Sequence, residues 1–110
     1  MYLNKDKILE SLTKEDIIKI VTSLGADNPK STNDGDLIFQ SICHGSTSWK
    51  LYYYHESSDK YKGKTFHCYS KCSDSFNIIE LVIRASRVQG KTITWYKALK
   101  YIAQVTKKIK

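Results

Sequence analysis

The three cysteines of this 110-residue chain lie in one stretch, and two of its three histidines lie directly beside them. Cys43-His44 forms a first pair, and 23 residues then separate His44 from Cys68, which opens a second pair, Cys68-x3-Cys72. Close pairs of thiolate and imidazole ligands from two separate turns are typical of a tetrahedral structural zinc site. An odd number of cysteines without an export signal favours metal ligation in a reducing compartment over disulfide bonding. The sequence therefore predicts one structural Zn²⁺.

The spacing leaves open which histidine completes the site. Adjacent side chains diverge in extended backbone, so His44 can join Cys43 only through a sharp turn, for example one beginning at His44-Gly45. His67 ranks second, because a strand that directs Cys68 to the metal directs His67 away from it, and His55, in a loop, ranks third. No His-x-Glu or His-Glu-x-x-His pattern supplies a general base, so we predict a closed site without a catalytic residue.

Charge is distributed unevenly along the chain. Residues 1–80 carry ten basic and eleven acidic side chains, whereas residues 81–110 carry eight basic side chains and no acidic one. Such a segment attracts polyanions, which predicts nucleic acid or an acidic protein as its partner. No stretch has the uninterrupted apolar character of a signal peptide or a membrane span, so we expect a cytoplasmic protein without membrane association.

Hydrophobic periodicity predicts an α+β fold, in which a small antiparallel sheet of about three to five strands is flanked by helices. We expect a single domain over residues 1–110 with a zinc-ribbon core at 37–72. The predicted helices span 4–12, 14–24, 77–88 and 94–107, and the predicted strands span 37–42, 49–54 and 64–68.

Several local signals refine the helices. Thr13 and Asp16 have the spacing of a capping box before the helix at 14–24. Asp74 or Ser75 is the predicted cap of the helix at 77–88, and Thr92 or Thr94 is expected to start the last helix. The buried stripe of the last helix is predicted to consist of Trp95, Ala98, Leu99, Ile102 and Val105.

Alternation along Trp49–Tyr54 places Lys50, Tyr52 and Tyr54 on one face of a strand and directs Trp49, Leu51 and Tyr53 toward the core. Aromatic rings that stack on bases and lysines that follow phosphates are the usual components of a surface that binds single strands. Ordinary sheet packing explains some of these tyrosines equally well. The complete set of predicted nucleic-acid-binding residues is Lys50, Tyr52, Tyr54, Lys62, Lys64, Tyr69, Arg84 and Arg87.

The segments Ile42-Cys-His-Gly, Thr65-Phe-His-Cys-Tyr-Ser-Lys-Cys and Ser75-Phe-Asn-Ile-Ile-Glu-Leu-Val resemble the N-terminal zinc-binding domain of bacterial and phage DNA primases. The resemblance is strongest to primase-like proteins of Gram-positive phages and mobile elements, and it covers about residues 13–103. This chain departs from the family pattern in two spacings. The usual Cys-x2-His pair is contracted to Cys-His, and the usual Cys-x2-Cys pair is expanded by one residue. The resemblance implies the ligand set Cys43, His44, Cys68 and Cys72.

The resemblance further implies that this chain binds the single-stranded DNA template for a phage or mobile-element primase or replication protein. The expected protein partner is a primase catalytic domain, a polymerase or a helicase. The chain has no phosphate-binding glycine loop and no cluster of carboxylates after the zinc segment, so we expect it not to be an enzyme by itself. The alternative is a zinc-ribbon regulatory protein of a mobile element that binds or inhibits a nucleic-acid enzyme.

Overall fold

The computed structural model describes residues 5–32, 35–55, 64–70 and 74–106, in which five short strands form one antiparallel sheet. Each strand pairs with the strand that follows it in the chain, so the sheet is a meander. The strands are β1 (Lys30–Ser31), β2 (Leu37–Phe39), β3 (Leu51–Tyr54), β4 (Thr65–Cys68) and β5 (Ser75–Phe76).

The described part of the chain also contains four α-helices and one 3-10 turn, which confirms the prediction of an α+β fold. The helices are α1 (Lys5–Ser11), α2 (Lys14–Ser23), α3 (Ile78–Val88) and α4 (Trp95–Val105), and the 3-10 turn is Ile42–His44. The capping box before α2 is confirmed, because Thr13 Oγ1 accepts from the Asp16 amide at 3.1 Å and Asp16 Oδ2 accepts from the Thr13 amide at 3.0 Å. Thr94 caps α4 as predicted, accepting from the Lys97 amide at 3.2 Å.

The helices cover one face of the sheet, and the core lies between them. Alternate residues of β3 and β4 point into it, which leaves Leu51, Tyr53, Phe66 and Cys68 without solvent exposure. The ring centroids of Tyr53 and Phe66 are 4.7 Å apart. On the helical side, α3 packs against the 3-10 turn, β4 and α4, and α4 also contacts α2. We call the covered side of the sheet its inner face and the opposite side its outer face.

The cap predicted for α3 is wrong. Asn77 is the cap, and its side-chain oxygen accepts from the Glu80 amide at 3.0 Å. Asp74 and Ser75 do not start the helix, because Ser75–Phe76 pairs with β4 and keeps the chain extended for two further residues.

The buried stripe predicted for α4 is correct in its centre and wrong at its start. Ala98, Leu99 and Ile102 are buried, whereas Trp95 remains 46% exposed and Val105 is half-buried. Trp95 shares the rotational position of Leu99 but occupies the first helical residue, at the end of the stripe.

Candidate metal centre and aromatic sheet face

The first predicted ligand pair lies on a 3-10 turn rather than in extended backbone. Cys43 and His44 are the last two residues of the turn, and Gly45 ends it in the left-handed region at φ 75°. Successive side chains of a 3-10 turn are separated by about 120° instead of the 180° of a strand, so neighbouring residues can approach the same point. The turn begins at Ile42, two residues before the position that the sequence suggested.

Cys68 reaches the same place from the sheet. It is the last residue of β4, and it faces inward with no solvent exposure. One ligand atom from each of Cys43, His44 and Cys68 lies within 4.8 Å of the other two. A tetrahedral Zn²⁺ with bonds of about 2.3 Å to sulfur would hold its ligand atoms roughly 3.8 Å apart, a separation that the 4.8 Å limit allows. This Cys-His-Cys group can therefore hold a metal ion.

The polar atoms of the group are buried in a way that suits a metal. Cys43 is 5% exposed, and His44 Nε2 is buried without a hydrogen-bond partner in the described part of the chain. A buried polar atom without a partner costs about 1–3 kcal/mol of stability. A coordinate bond to an ion would satisfy a nitrogen of this kind, so the chemistry of the donor set fits a metal.

The other candidate ligands lie elsewhere or outside the described residues. His67 is on the outer face, where its Nδ1 is 2.7 Å from Ser75 Oγ. His55 follows β3, with its Nδ1 2.8 Å from the Tyr53 hydroxyl. Cys72 falls in a segment that the structure does not describe, so its role as a ligand stays a prediction.

A cavity of about 390 Å³ lies beside Cys43 and His44, against α3. Its α3 wall includes Glu80 and Arg84, which form an ion pair at 3.2 Å. Arg84 also pairs with Asp74 at 2.8 Å, and its guanidinium carbon lies 4.3 Å from the centroid of the Phe76 ring. Arg87 and Val88 also line the cavity.

The pKa values around Arg84 reflect these contacts. Burial alone would lower the pKa of Arg84, but the hydrogen bonds and charges of Asp74 and Glu80 raise it overall. The hydrogen bond from Arg84, together with the Ser75 amide, lowers the pKa of Asp74. The charge of Arg84 is therefore already matched within the protein, which fixes β5 to α3 beside the candidate metal centre.

The outer face of the sheet carries a cluster of aromatic side chains. The ring centroid of Tyr52 is 4.9 Å from that of Tyr69, edge to face, and 6.3 Å from that of Tyr54. The hydroxyls of Tyr54 and Tyr69 are 2.7 Å apart, and the His67 ring centroid is 4.2 Å from that of Tyr69. We call Tyr52, Tyr54, His67 and Tyr69 the outer aromatic cluster. The predicted alternation is confirmed within β3, because Leu51 and Tyr53 are buried while Tyr52 and Tyr54 are half-buried on the opposite side. Trp49 was wrongly expected in the core: it precedes β3 and is half-buried, with Lys30 Nζ 4.5 Å from its ring centroid.

Two of the three predicted lysines lie in the described part of the chain, and they have different surroundings. Lys50 is exposed and precedes β3, and its carbonyl accepts from the Tyr69 amide at 2.9 Å, so it borders the outer aromatic cluster. Lys64 instead donates from Nζ to the carbonyls of Leu9 at 3.0 Å and Glu10 at 2.6 Å, at the end of α1. Lys62 lies outside the described residues.

Two features escaped the sequence-based prediction. His67 belongs to the outer aromatic cluster, as the strand alternation that directs Cys68 inward requires. Trp95 and Tyr96, at the start of α4, are 46% and 52% exposed, although Trp95 was assigned to the core. None of the described helices is long and apolar enough to cross a membrane.

Comparison with known proteins identifies a phage relative. The SPbeta prophage-derived uncharacterized protein YorJ of Bacillus subtilis (strain 168) is 43% identical to this chain over 107 residues. The alignment covers 96% of this chain and 27% of that protein, so the chain spans about a quarter of the relative's length. No family model matches the chain, and no solved structure matches it.

Proposed function

We propose that this chain is a zinc-stabilised module that binds single-stranded DNA for a phage replication protein. The outer aromatic cluster is the observation that carries this proposal. Three tyrosines and one histidine lie together on one side of the sheet, with the exposed Lys50 beside them. Every base has a face that can stack on such rings, while a lysine follows the backbone phosphates.

The metal has a structural role in this proposal. Zn²⁺ would be held by Cys43, His44 and Cys68, and Cys72 remains the predicted fourth ligand. An ion in this position supplies a cross-link between the 3-10 turn and the end of β4. Because Leu51 pairs with Cys68, the same cross-link would stabilise the strand that carries Tyr52 and Tyr54.

Two further observations support a replication role. The relative named above is prophage-derived, which supports a phage origin for this chain as well. The cysteine and histidine segments resemble the zinc-binding domains of DNA primases, in which a separate catalytic domain makes the primer. We therefore propose a primase catalytic domain, a polymerase or a helicase as the functional partner.

The test combines metal analysis with titration of a fluorescent oligo-dT at two salt concentrations. We expect one zinc per chain, and binding that weakens steeply with salt because phosphate contacts release counterions. Tyr52→Ala should weaken binding by roughly 5- to 150-fold, since each stacked base contributes about 1–3 kcal/mol. Tyr52→Phe is the matched control, because it keeps the ring and should retain most of the affinity.

Two results would contradict the proposal. Zinc-loaded protein that binds no oligonucleotide at low salt would favour the regulatory zinc ribbon that binds a protein. Binding that is equally strong in the Tyr52→Ala variant would show that the outer aromatic cluster is not the DNA surface.

A further inference from the structure

A cavity of about 340 Å³ lies between α2, α3 and α4, on the side of the sheet that the helices cover. Val82 and Ser86 are four residues apart on α3, and Lys97 and Tyr101 are four residues apart on α4, so each pair shares one side of its helix. Because α3 and α4 pack against each other, these two sides form the walls of one cavity. We call it the helix cavity.

Two lysines without an acidic neighbour line the helix cavity. Lys91 and Lys97 are both exposed, and in the described part of the chain neither ammonium group donates to a protein acceptor. The described lining residues include no aspartate or glutamate. The cavity beside the candidate metal centre differs, because Glu80 lines it and already pairs with Arg84.

Lys97 lies in the first turn of α4, which is an unfavourable position for a cation. The free amides of a helix N-terminus carry a partial positive charge, and lysine adds to that charge instead of offsetting it. Thr94 caps α4, and the first turn of this helix contains no acidic side chain. An anion in the helix cavity would offset this concentration of positive charge.

The carbonyl groups at the ends of α2 and α3 do not engage these lysine side chains. The Ser86 carbonyl accepts from the backbone amides of Gln89 at 3.0 Å and Lys91 at 2.9 Å. The Thr22 carbonyl accepts from the Gly25 amide at 3.1 Å. Since backbone amides satisfy these carbonyls, the ammonium groups remain available to a ligand. The bond from the Lys91 amide also fixes the point at which the Lys91 side chain leaves the backbone.

The rest of the wall combines apolar surface with a directed acceptor. Its apolar lining residues are Leu24, Val82 and Ile93. Ser23 Oγ lies 2.6 Å from the Ile20 carbonyl oxygen and 2.6 Å from the Tyr101 hydroxyl. Because Ser23 donates its single hydroxyl proton to the Ile20 carbonyl, Tyr101 must donate to Ser23. The Tyr101 oxygen therefore keeps a lone pair that can accept from an N–H or O–H group of a ligand.

We propose that the helix cavity binds a nucleoside 5′-phosphate, with the phosphate between Lys91 and Lys97 and the nucleoside against the apolar wall. A phosphate monoester is a compact anion of charge about −1.5 to −2, and lysine binds such a group as a point charge. A sugar hydroxyl or a base N–H supplies the donor that the Tyr101 oxygen can accept. The volume of about 340 Å³ is near the lower end of the ~300–1,000 Å³ of small-molecule sites, so it suits one nucleotide better than a strand.

This inference rests on the proposed function, because a protein that binds DNA for replication meets nucleotides both as monomers and as strand ends. It goes beyond that function by adding a second site. The outer aromatic cluster lies on the outer face of the sheet, whereas the helix cavity lies among the helices that cover the inner face.

The test is titration of isotope-labelled, zinc-loaded protein with dTMP, followed by amide chemical shifts in NMR spectra. We expect one site per chain, with the largest shifts at Gln89, Lys91 and Lys97. Lys91→Gln and Lys97→Gln should each weaken binding by about 5-fold, the upper value for an ion pair in contact with solvent. Lys100→Gln is the matched control, because it removes the same charge from an exposed α4 lysine that does not line the cavity, and it should change the affinity much less.

Three further ligands define the chemistry of the site. Thymidine, which lacks the phosphate, should bind about 25-fold more weakly than dTMP, the product of the two lysine effects. Inorganic phosphate should also bind more weakly, and an affinity equal to that of dTMP would overturn the assignment to a nucleotide. Oligo-dT with a 5′-phosphate is compared with oligo-dT that ends in a 5′-hydroxyl. A lysine-dependent advantage of the phosphorylated strand identifies the ligand as a strand end, and dTMP binding without this advantage identifies it as a free nucleotide.

The remaining outcomes separate this inference from the proposed function. The inference is overturned if dTMP shifts only the outer aromatic cluster, or if the double variant Lys91→Gln/Lys97→Gln binds dTMP like wild type. Oligo-dT binding that depends on Tyr52 would then leave the proposed function standing. Lysine-dependent binding of dTMP without any binding of oligo-dT would support the helix cavity and overturn the proposed function. Absence of binding by both ligands would overturn both.

Discussion

Gly45→Ala should destabilise the protein by about 2–3 kcal/mol, from two separable causes. Gly45 has φ 75°, and an L-residue in the left-handed region costs roughly 1–2 kcal/mol. A Cβ added at Gly45 would lie 2.8 Å from Val88 Cγ1, shorter than the ~3.5–4.0 Å of carbon contact. Val88 is 49% exposed and can rotate away from the new methyl group, at about 0.5–1.5 kcal/mol for an unfavourable rotamer.

Two companion variants separate these causes. Gly45→Asn retains the contact with Val88 but reduces the backbone cost, because asparagine tolerates the left-handed region better than alanine. The double variant Gly45→Ala/Val88→Ala removes the contact and leaves the backbone cost. In the double-mutant cycle, the double variant should therefore lose less stability than the sum of the two single variants. We expect the difference to be about 0.5–1.5 kcal/mol.

The assay is urea unfolding at a fixed excess of zinc, because a bound metal contributes to apparent stability. Competition with a chromophoric chelator, run in parallel, should show weaker zinc binding by Gly45→Ala, since Gly45 ends the turn that carries Cys43 and His44. A Gly45→Ala variant within about 0.5 kcal/mol of wild type would refute the left-handed turn. An unchanged cost after removal of the Val88 side chain would refute the close approach of α3.

Three further predictions follow from described contacts. Treatment with a chelator should abolish most of the near-ultraviolet circular dichroism, because the proposed ion would join the 3-10 turn to the sheet, and an unchanged spectrum would contradict this. Asn77→Ala should cost about 1 kcal/mol in urea unfolding through loss of the α3 cap, whereas Asn77→Asp should retain most of it. Lys64→Gln should lower stability by up to about 1 kcal/mol, because the Lys64 ammonium donates to the Leu9 and Glu10 carbonyls. The same variant should change the salt dependence of oligonucleotide binding less than Lys50→Gln does.

The parts of the fold that depend on neighbouring residues were predicted from the sequence. The α2 helix is one example, because Thr13 and Asp16 form a capping box and an apolar stripe follows directly. The β3 strand is another, because the alternation of aromatic residues identifies both of its faces. The clustering of Cys43, His44 and Cys68 was likewise anticipated, although 23 residues separate His44 from Cys68, because two close ligand pairs are typical of a zinc site.

The parts that depend on distant residues were not predicted. The 3-10 turn lies against α3, a helix that begins more than thirty residues later, and Gly45 must approach Val88 closely there. β5 is two residues long, and it exists because Phe76 pairs with Phe66 across the sheet edge, which no local pattern reveals. The exposure of Trp95 depends on where the neighbouring helices end, whereas helical periodicity gives only its rotational position.

The meander order of the sheet has a consequence for how the protein folds. Every strand pairs with its neighbour in the chain, so β2, β3 and β4 can form as two successive hairpins, connected through residues 40–50 and 55–64. Once these hairpins exist, the ends of β2 and β4 lie on either side of Leu51 in β3, so the chain that leads into the 3-10 turn starts close to Cys68. Little chain entropy then remains to be lost when the ion binds. An ion that binds at this stage would fix the 3-10 turn to β4 after the strands have paired, so its removal should accelerate unfolding far more than it slows the formation of the hairpins.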